Sequence, residues 1–352
     1  MKLGYFTLSD NPPSYGESRQ DHNQLIVDIL EQCVHTEELG FNSVWVPEHH
    51  FGLFGVLPSP PVFLANVAAK TSRVKLAPAT VVLPLNHPVR VAEEFALLDL
   101  LSNGRAVLSA GRGYDKREYD SFGVPFERSL DIFFEGLEVV KKAWSNETFS
   151  HDGEFYQLPP YSITPKPVQK PHPPIYVACF SEPTLRHAAR AGFNVIFAPF
   201  AAAMMFGSVQ EAVAEFKRES EAAGHSARQA MCSYFVNVTY DEAETLKTKE
   251  RLLKYFDAIT PALPSDRETA PPHIRYFVDI VERLRAMSPA DLGERSIITG
   301  SPEHCVEVLK DCEDAGIAEV ILYFNFGGLG HQETMKSMDR AAEHLLPHFD
   351  QG

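Results

Sequence analysis

The chain has 352 residues and sets 32 Lys+Arg against 47 Asp+Glu, a formal charge of -15 that repels phosphate backbones and anionic lipid surfaces. Nucleic acid and membrane are therefore not expected partners, and no apolar run approaches bilayer-spanning length. The start, Met1 to Phe6, lacks a charged-then-apolar leader pattern, and the five cysteines (Cys33, Cys179, Cys232, Cys305, Cys312) form no CxxC pair, so a cytoplasmic protein with free thiols is expected, without zinc or disulfides.

In chain order, the first β-rich run, Leu3 to Leu8, leads to Gln20–Leu39, where Leu25, Ile29, Cys33 and Val34 recur near helical spacing and Gly40 supplies a C-terminal stop. The second run, Ser43 to Val46, ends in Pro47-Glu48-His49-His50-Phe51. One carboxylate and two adjacent imidazoles where a buried strand emerges from its sheet read as an acid/base group delivered to a site. A structural cluster or a metal site fits those residues too, although barrel metal sites usually take alternate residues of one strand and no His-x-His occurs here. The third run, Val74 to Val82, carries Ala79 and Thr80, small enough for a flat ligand to approach, and then His87, either a turn anchor or a ligand contact. A helical stretch from Val89 stops at Gly104.

The fourth run, Ala106 to Ala110, closes in Gly111-Arg112-Gly113-Tyr114, where an arginine suited to phosphate stands between two glycines. An amphipathic helix is expected over Arg128–Trp144. His151 to Pro174 holds seven prolines and cannot be a regular helix. The fifth run, Ile175 to Cys179, enters Phe180-Ser181-Glu182-Pro183-Thr184, a helix start whose hydroxyls and free amides suit either phosphate or simple capping. Runs at Val195–Ala198, Met231–Thr239 and Glu319–Asn325 follow, with helices at Val209–Ala223 and Cys305–Ala315, the latter opened by Ser301-Pro302-Glu303. A second proline-rich insertion, Thr260 to Pro272, precedes a helical segment, Ile274–Met287, before the pattern returns at Ile297; a lid is expected around Thr260–Pro289. Eight βα units point to an α/β fold, a (β/α)8 TIM barrel in one domain over 1–352, with insertions at about 151–174 and 260–296.

As an ordered set, these segments resemble the bacterial luciferase-like family of flavin-dependent monooxygenases. The set comprises Glu48-His49-His50-Phe51, Val82-Leu83-Pro84, His87-Pro88-Val89-Arg90, Ala92-Glu93-Glu94, Leu97-Leu98-Asp99, Gly104-Arg105, Gly111-Arg112-Gly113, Phe122-Gly123, Gly300-Ser301-Pro302-Glu303 and Phe326-Gly327-Gly328. The resemblance implies a barrel that binds reduced FMN (FMNH2), whose reaction with O2 gives a flavin C4a-peroxide that oxygenates an organic substrate. It implies His49 as the essential histidine, with Glu48 and His50 beside it. It further implies a cis peptide at Ala79-Thr80 beneath the flavin ring, and Arg112, Ser181 and Thr184 on the phosphate, with Tyr114 near the cofactor. A homodimer packed through helices flanking the second and third strands is also implied; Phe63, Leu64, Val67, Phe95 and Leu98 could serve that contact or the core.

Two departures bear on activity. Gly111 stands where the light-emitting subunit carries a reactive cysteine, and Phe180 replaces an acidic residue, so luminescence is not expected. No GxGxxG follows a strand, so reduced FMN is expected from a separate flavin reductase. Phe6, Trp45 and Phe51 are expected to line a pocket for a small, mostly apolar organic substrate. Alternatives are a deazaflavin (F420)-dependent oxidoreductase on the same barrel, a non-catalytic flavin-binding or accessory subunit, and a metal-dependent hydrolase.

Overall fold

The computed structural model describes residues 1–226, 228–263, 266–268, 270 and 275–349. The strands are β1 (Lys2–Phe6), β2 (Ser43–Val46), β3 (Lys75–Pro78), β4 (Val81–Val82), β5 (Leu108–Gly111), β6 (Phe149–Asp152), β7 (Gln157–Tyr161), β8 (Ile175–Cys179), β9 (Asn194–Phe197), β10 (Ala230–Val238), β11 (Ile297–Gly300) and β12 (Glu319–Tyr323). The helices are α1 (His22–Leu39), α2 (Pro60–Lys70), α3 (Pro88–Leu101), α4 (Lys116–Phe122), α5 (Ser129–Ser145), α6 (Glu182–Arg190), α7 (Pro199–Phe206), α8 (Val209–Ala222), α9 (Glu242–Ile259), α10 (Tyr276–Ala286), α11 (Pro302–Ala315) and α12 (His331–His344).

Strands covered on both faces need apolar side chains throughout, and β2, β5 and β9 are buried at every position. Successive side chains point to opposite faces, so Tyr5, Val44, Val320 and Leu322 pack outward under the helices. Phe6, Trp45, Ile321 and Tyr323 fill the interior with Ala77, Tyr176, Ile196 and Met231. Pairing is parallel in the order β3-β2-β1-β12-β10-β9-β8-β5-β4. The backbone of Leu76 donates to Arg105 O and accepts from Val107 N, both at 2.9 Å, so the two ends of that order meet. The result is a mostly parallel sheet nearly closed into a TIM barrel, ringed by helices.

Local signals set the element ends. Asp21 accepts from Gln24 N at 2.9 Å and starts α1, and Gly40 ends it at φ 97°. Ser301 caps α11 with Pro302 in its first turn. Elsewhere the structure departs from the sequence reading. The third run is split, β3 and β4 flanking a cis Ala79–Thr80 peptide. Part of the first insertion is an antiparallel β6–β7 hairpin that admits Pro159 and Pro160 because its two strands have free edges. Its turn is held by the Glu135 carboxylate, which accepts from the backbone of Glu154, Phe155 and Tyr156. β11 adds to the expected eight strands, pairing with the second half of β10.

In the second insertion, α10 occupies most of the expected helix; Ile274 and the prolines at 264, 271 and 272 lie outside the described residues. Leu64, Val67, Phe95 and Leu98 serve the core, and Phe63 is partly buried. The apolar side chains left on the surface of α2 and α3 are instead Val62 (74% exposed), Leu97, Leu100 and Leu101 (64%). Among the described residues no helix is long and apolar enough to cross a membrane.

Candidate active site

The C-terminal ends of the strands surround a cavity of about 1750 Å3 of empty space, counting its open mouth. This is where a parallel barrel gathers side chains from separate strands. The end of β1 contributes Phe6 and Leu8, that of β2 Glu48 and His49, the β3–β4 junction Ala79 and Thr80, and the end of β5 Gly111, Arg112 and Tyr114. Ala178, Phe180 and Thr184 follow β8, and Phe235 and Tyr323 come from β10 and β12. α10 forms one wall through Tyr276, Phe277 and Ile280. The insertion foreseen as a lid therefore reaches the cavity. Phe277 lies between Tyr114 and Phe180, with ring centroids 5.9 and 6.4 Å away.

His49 presents a buried Nε2 with no hydrogen-bond partner among the described residues. Its ring stands edge-on to Phe54 at 5.1 Å. Burial, with a contribution from the neighbouring His50, lowers its pKa to about 3, so the imidazole is neutral across the physiological range. His50 behaves oppositely. Burial disfavours its charge, but the Glu48 carboxylate 3.0 Å from Nε2, with Glu118 nearby, outweighs that and raises its pKa. Glu48 is buried and fully engaged, accepting from Val82 N at 2.9 Å, from Asn86 Nδ2 at 2.8 Å and pairing with His50. It thus ties the end of β2 to the turn after β4. Among the described residues no group of three or more His, Cys, Asp or Glu side chains is arranged around a metal position.

Arg112 carries the other unspent polarity. Its Nη1 is buried and unpartnered among the described residues, while Nη2 reaches Tyr276 Oη at 3.5 Å. The Tyr119 hydroxyl donates to the Arg112 carbonyl and fixes the loop. Ser181 is the extended N-cap of α6, but its hydroxyl makes no cap bond; it lies 2.9 Å from the Thr184 hydroxyl, which lines the cavity. A guanidinium, two hydroxyls and a helix start are anion-binding chemistry.

Of Phe6, Trp45 and Phe51, only Phe6 lines the cavity, as does Tyr114. Trp45 lies in the barrel interior below it, donating Nε1–H to Ser43 Oγ at 2.7 Å and edge-on to Tyr176. Phe51 is 59% exposed at φ 60° and packs on His50 and Phe122 outside the cavity. Trp45 shares the inward face with Phe6, but its ring leans back along β2 to Ser43, and the turn after β2 swings Phe51 outward. His87 meets Tyr156 of the hairpin, 5.6 Å between rings, and does not line the cavity. Sequence reasoning missed Phe54, Phe235, Tyr255 and Tyr323, whose rings nest at 4.8 to 5.9 Å beside His49, and missed Glu118 and Asn86. Apolar spacing could have exposed Phe235 and Tyr323 as alternate strand positions facing inward; nothing local marks the others.

Residues 1–319 match the family profile described as luciferase-like monooxygenase. The chain belongs to the luciferase-like monooxygenase family. It is 26% identical over 367 residues to the alkanal monooxygenase alpha chain of Photorhabdus laumondii, covering 99% of this chain and 97% of that one. It is 25% identical over 338 residues to the oxygenase component of the flavin-dependent trigonelline monooxygenase of Acinetobacter baylyi, covering 95% and 92%. The solved monooxygenase RslO1 from Streptomyces bottropensis superposes with a TM-score of 0.82 at 27% identity, covering 99% and 100%. Against the uncharacterized protein y4vJ of Sinorhizobium fredii, identity is 38% over 176 residues, half the length of each chain. At Gly111 a Cβ would lie 2.5 Å from Thr80 Oγ1, so the close approach of these two segments depends on glycine.

Proposed function

We propose that the protein is the oxygenase component of a two-component, FMNH2-dependent monooxygenase acting on a small, mostly apolar substrate. The observation that carries this is the pairing, in one aromatic cavity, of two buried groups without partners among the described residues, His49 Nε2 and Arg112 Nη1. Leaving a guanidinium N–H and an imidazole nitrogen unpaired is costly unless a ligand completes them. FMN fits both ends of that requirement, offering a phosphate to Arg112, Ser181 and Thr184 and a flat ring to the Ala79–Thr80 and Gly111 wall. Reduced FMN supplies the electrons that let O2 place one oxygen atom in the substrate while the other leaves as water.

The chain's own residues do the rest. His49, held neutral, can give up or take one proton at the reacting edge, which a permanently charged imidazole could not do. The Leu57 carbonyl holds its backbone, accepting from His49 N at 2.9 Å, and Glu48 holds the His50 ring beside it. Phe6, Phe54, Phe235, Tyr255 and Tyr323 seat an apolar substrate and keep water away, and Phe277 of α10 closes the outer wall. A separate reductase is supported by the absence of a dinucleotide fingerprint and by the Acinetobacter relative being an oxygenase component. The exposed Val62, Leu97, Leu100 and Leu101 on adjacent α2 and α3 support a homodimer through that face.

The test mixes the protein with anaerobically reduced FMN, then with isotopically labelled O2 and a panel of apolar and aromatic compounds. We expect one labelled oxygen atom in a product, less hydrogen peroxide released when substrate is present, and loss of product in His49→Asn. No product from any compound, with equal peroxide release by parent and His49→Asn, overturns the proposal. Tighter binding of a deazaflavin than of FMN would move the protein to hydride transfer on the same barrel.

A further inference from the structure

We propose that Glu118 is a positioning residue of this site, whose carboxyl holds the turn carrying His49 and His50. The kinetic consequence rests on the oxygenase reading above; the structural one stands without it.

Glu118 lies in the first turn of α4, three residues after Asp115, which caps that helix by accepting from Arg117 N at 3.0 Å. An acid at this place ordinarily reaches back to the amide of the cap residue. Glu118 instead turns away, is buried, lines the cavity, and accepts the His50 N–H at 2.8 Å through Oε1. That amide belongs to the peptide joining His49 to His50, and together with the His49 N–H, which donates to Leu57 O at 2.9 Å, it fixes the direction in which the His49 side chain leaves the strand end. The His50 imidazole is held separately by Glu48, itself bound to Val82 N and Asn86. Two carboxylates from different parts of the barrel therefore hold this dipeptide, one by its backbone and one by its ring.

The charges around Glu118 come from two directions. Glu48 and His50 face it from the end of β2, and Tyr114, Asp115, Arg117 and Tyr119 from its own loop and helix. Burial raises its pKa to about 7; the His50 N–H and the His50 charge oppose that rise, while Asp115 and Glu48 add to it. His49, buried and neutral, does not change charge in this range. Two groups beside the catalytic histidine therefore titrate near neutral pH, Glu118 and His50, whose proton affinity Glu48 raises. A carboxylate accepts an amide more strongly than a carboxylic acid does, so His49 is held more firmly as pH rises through that value.

The decisive measurement is a pH titration of histidine ring C–H resonances in the ligand-free protein, assigned with His49→Gln and His50→Gln. In His50→Gln, where the neighbouring ring no longer titrates, the His49 signal is expected to show a small inflection at about pH 7, far short of full protonation. Added to His50→Gln, Glu118→Gln keeps an acceptor for the amide but cannot titrate, and should erase that inflection. Glu118→Ala removes the acceptor and should lower kcat roughly tenfold with little change in KM, the size expected for one charge-assisted bond. The proposal is overturned if the inflection persists in the Glu118→Gln, His50→Gln double variant, or if Glu118→Ala keeps the parental kcat. Should the alanine variant fail to fold, the glutamine titration decides by itself. Should no substrate be found, the titration is unaffected, because it needs neither cofactor nor turnover.

Discussion

Replacing Gly111 by alanine or cysteine tests the wall on which the cavity depends. A Cβ at this position would stand 2.5 Å from Thr80 Oγ1, 3.4 Å from Thr80 Cβ and 3.6 Å from Ala178 Cβ. Only the first contact is impossible, and rotating Thr80 about χ1 substitutes a methyl for the hydroxyl. The backbone has little freedom to yield, because Val81, next in sequence, is paired with Ala110 of β5. Gly111 is not among the positive-φ glycines, so the backbone itself accepts a side chain. Such a replacement ordinarily stabilises by about 0.4–1 kcal/mol through the unfolded state.

Overpacking costs about 1–3 kcal/mol and should prevail. With an unfolding entropy of about 2.1 cal/mol/K per residue over 352 residues, roughly 0.7 kcal/mol/K, the net loss lowers Tm by about 1–3 °C. Thermal unfolding of Gly111→Ala, Gly111→Cys, Thr80→Ala and the two double variants reads the effect. Adding Thr80→Ala should abolish the Gly111 penalty, a coupling of about 1 kcal/mol or more. Equal losses with and without Thr80→Ala, or a Gly111→Ala variant more stable than the parent, would refute the steric argument.

Arg112→Met should weaken binding of reduced FMN about 10- to 100-fold while leaving riboflavin binding nearly unchanged, since it removes charge-assisted bonds to a phosphate that riboflavin lacks; anaerobic fluorescence titration measures both. Stability against pH depends on two opposing groups. His49, lowered from 6.5 to about 3, makes the unfolded state the better proton acceptor below pH 6.5, so it removes stability as pH falls. Glu118, raised from 4.5 to about 7, makes the folded state the better acceptor and removes stability as pH rises through that window. Glu118→Gln should therefore steepen the acid-side loss by up to about 1.4 kcal/mol per pH unit between the two ordinary values, and His49→Gln should flatten it, as read by urea denaturation. If the proposed homodimer forms through this face, Leu97→Asp with Leu101→Asp should make the protein a monomer; light scattering on a sizing column checks it.

The barrel itself was legible residue by residue. Leu3 to Leu8, Ser43 to Val46 and Ile175 to Cys179 announce strands because a wall buried on both faces tolerates little else, and Asp21, Gly40 and Ser301 mark helix ends through backbone chemistry confined to a few residues. Glu48-His49-His50 and Arg112 stood out for the same reason, polar groups where a buried strand emerges. Three-dimensional closure decided what each of them faces. Trp45 and Phe51, both apolar and adjacent to the motif, go below the cavity and outside it, whereas Phe54 and Tyr255, unmarked in sequence, come to its centre. Glu118 reads locally as a helix-capping acid, and only the approach of α4 to the end of β2 gives its carboxyl the His50 amide, 68 residues earlier. Period and capping act over one or two turns and are written in neighbouring residues. Burial, unpaired polarity and shifted proton affinity depend on which distant segments exclude water together, and only the folded chain settles that.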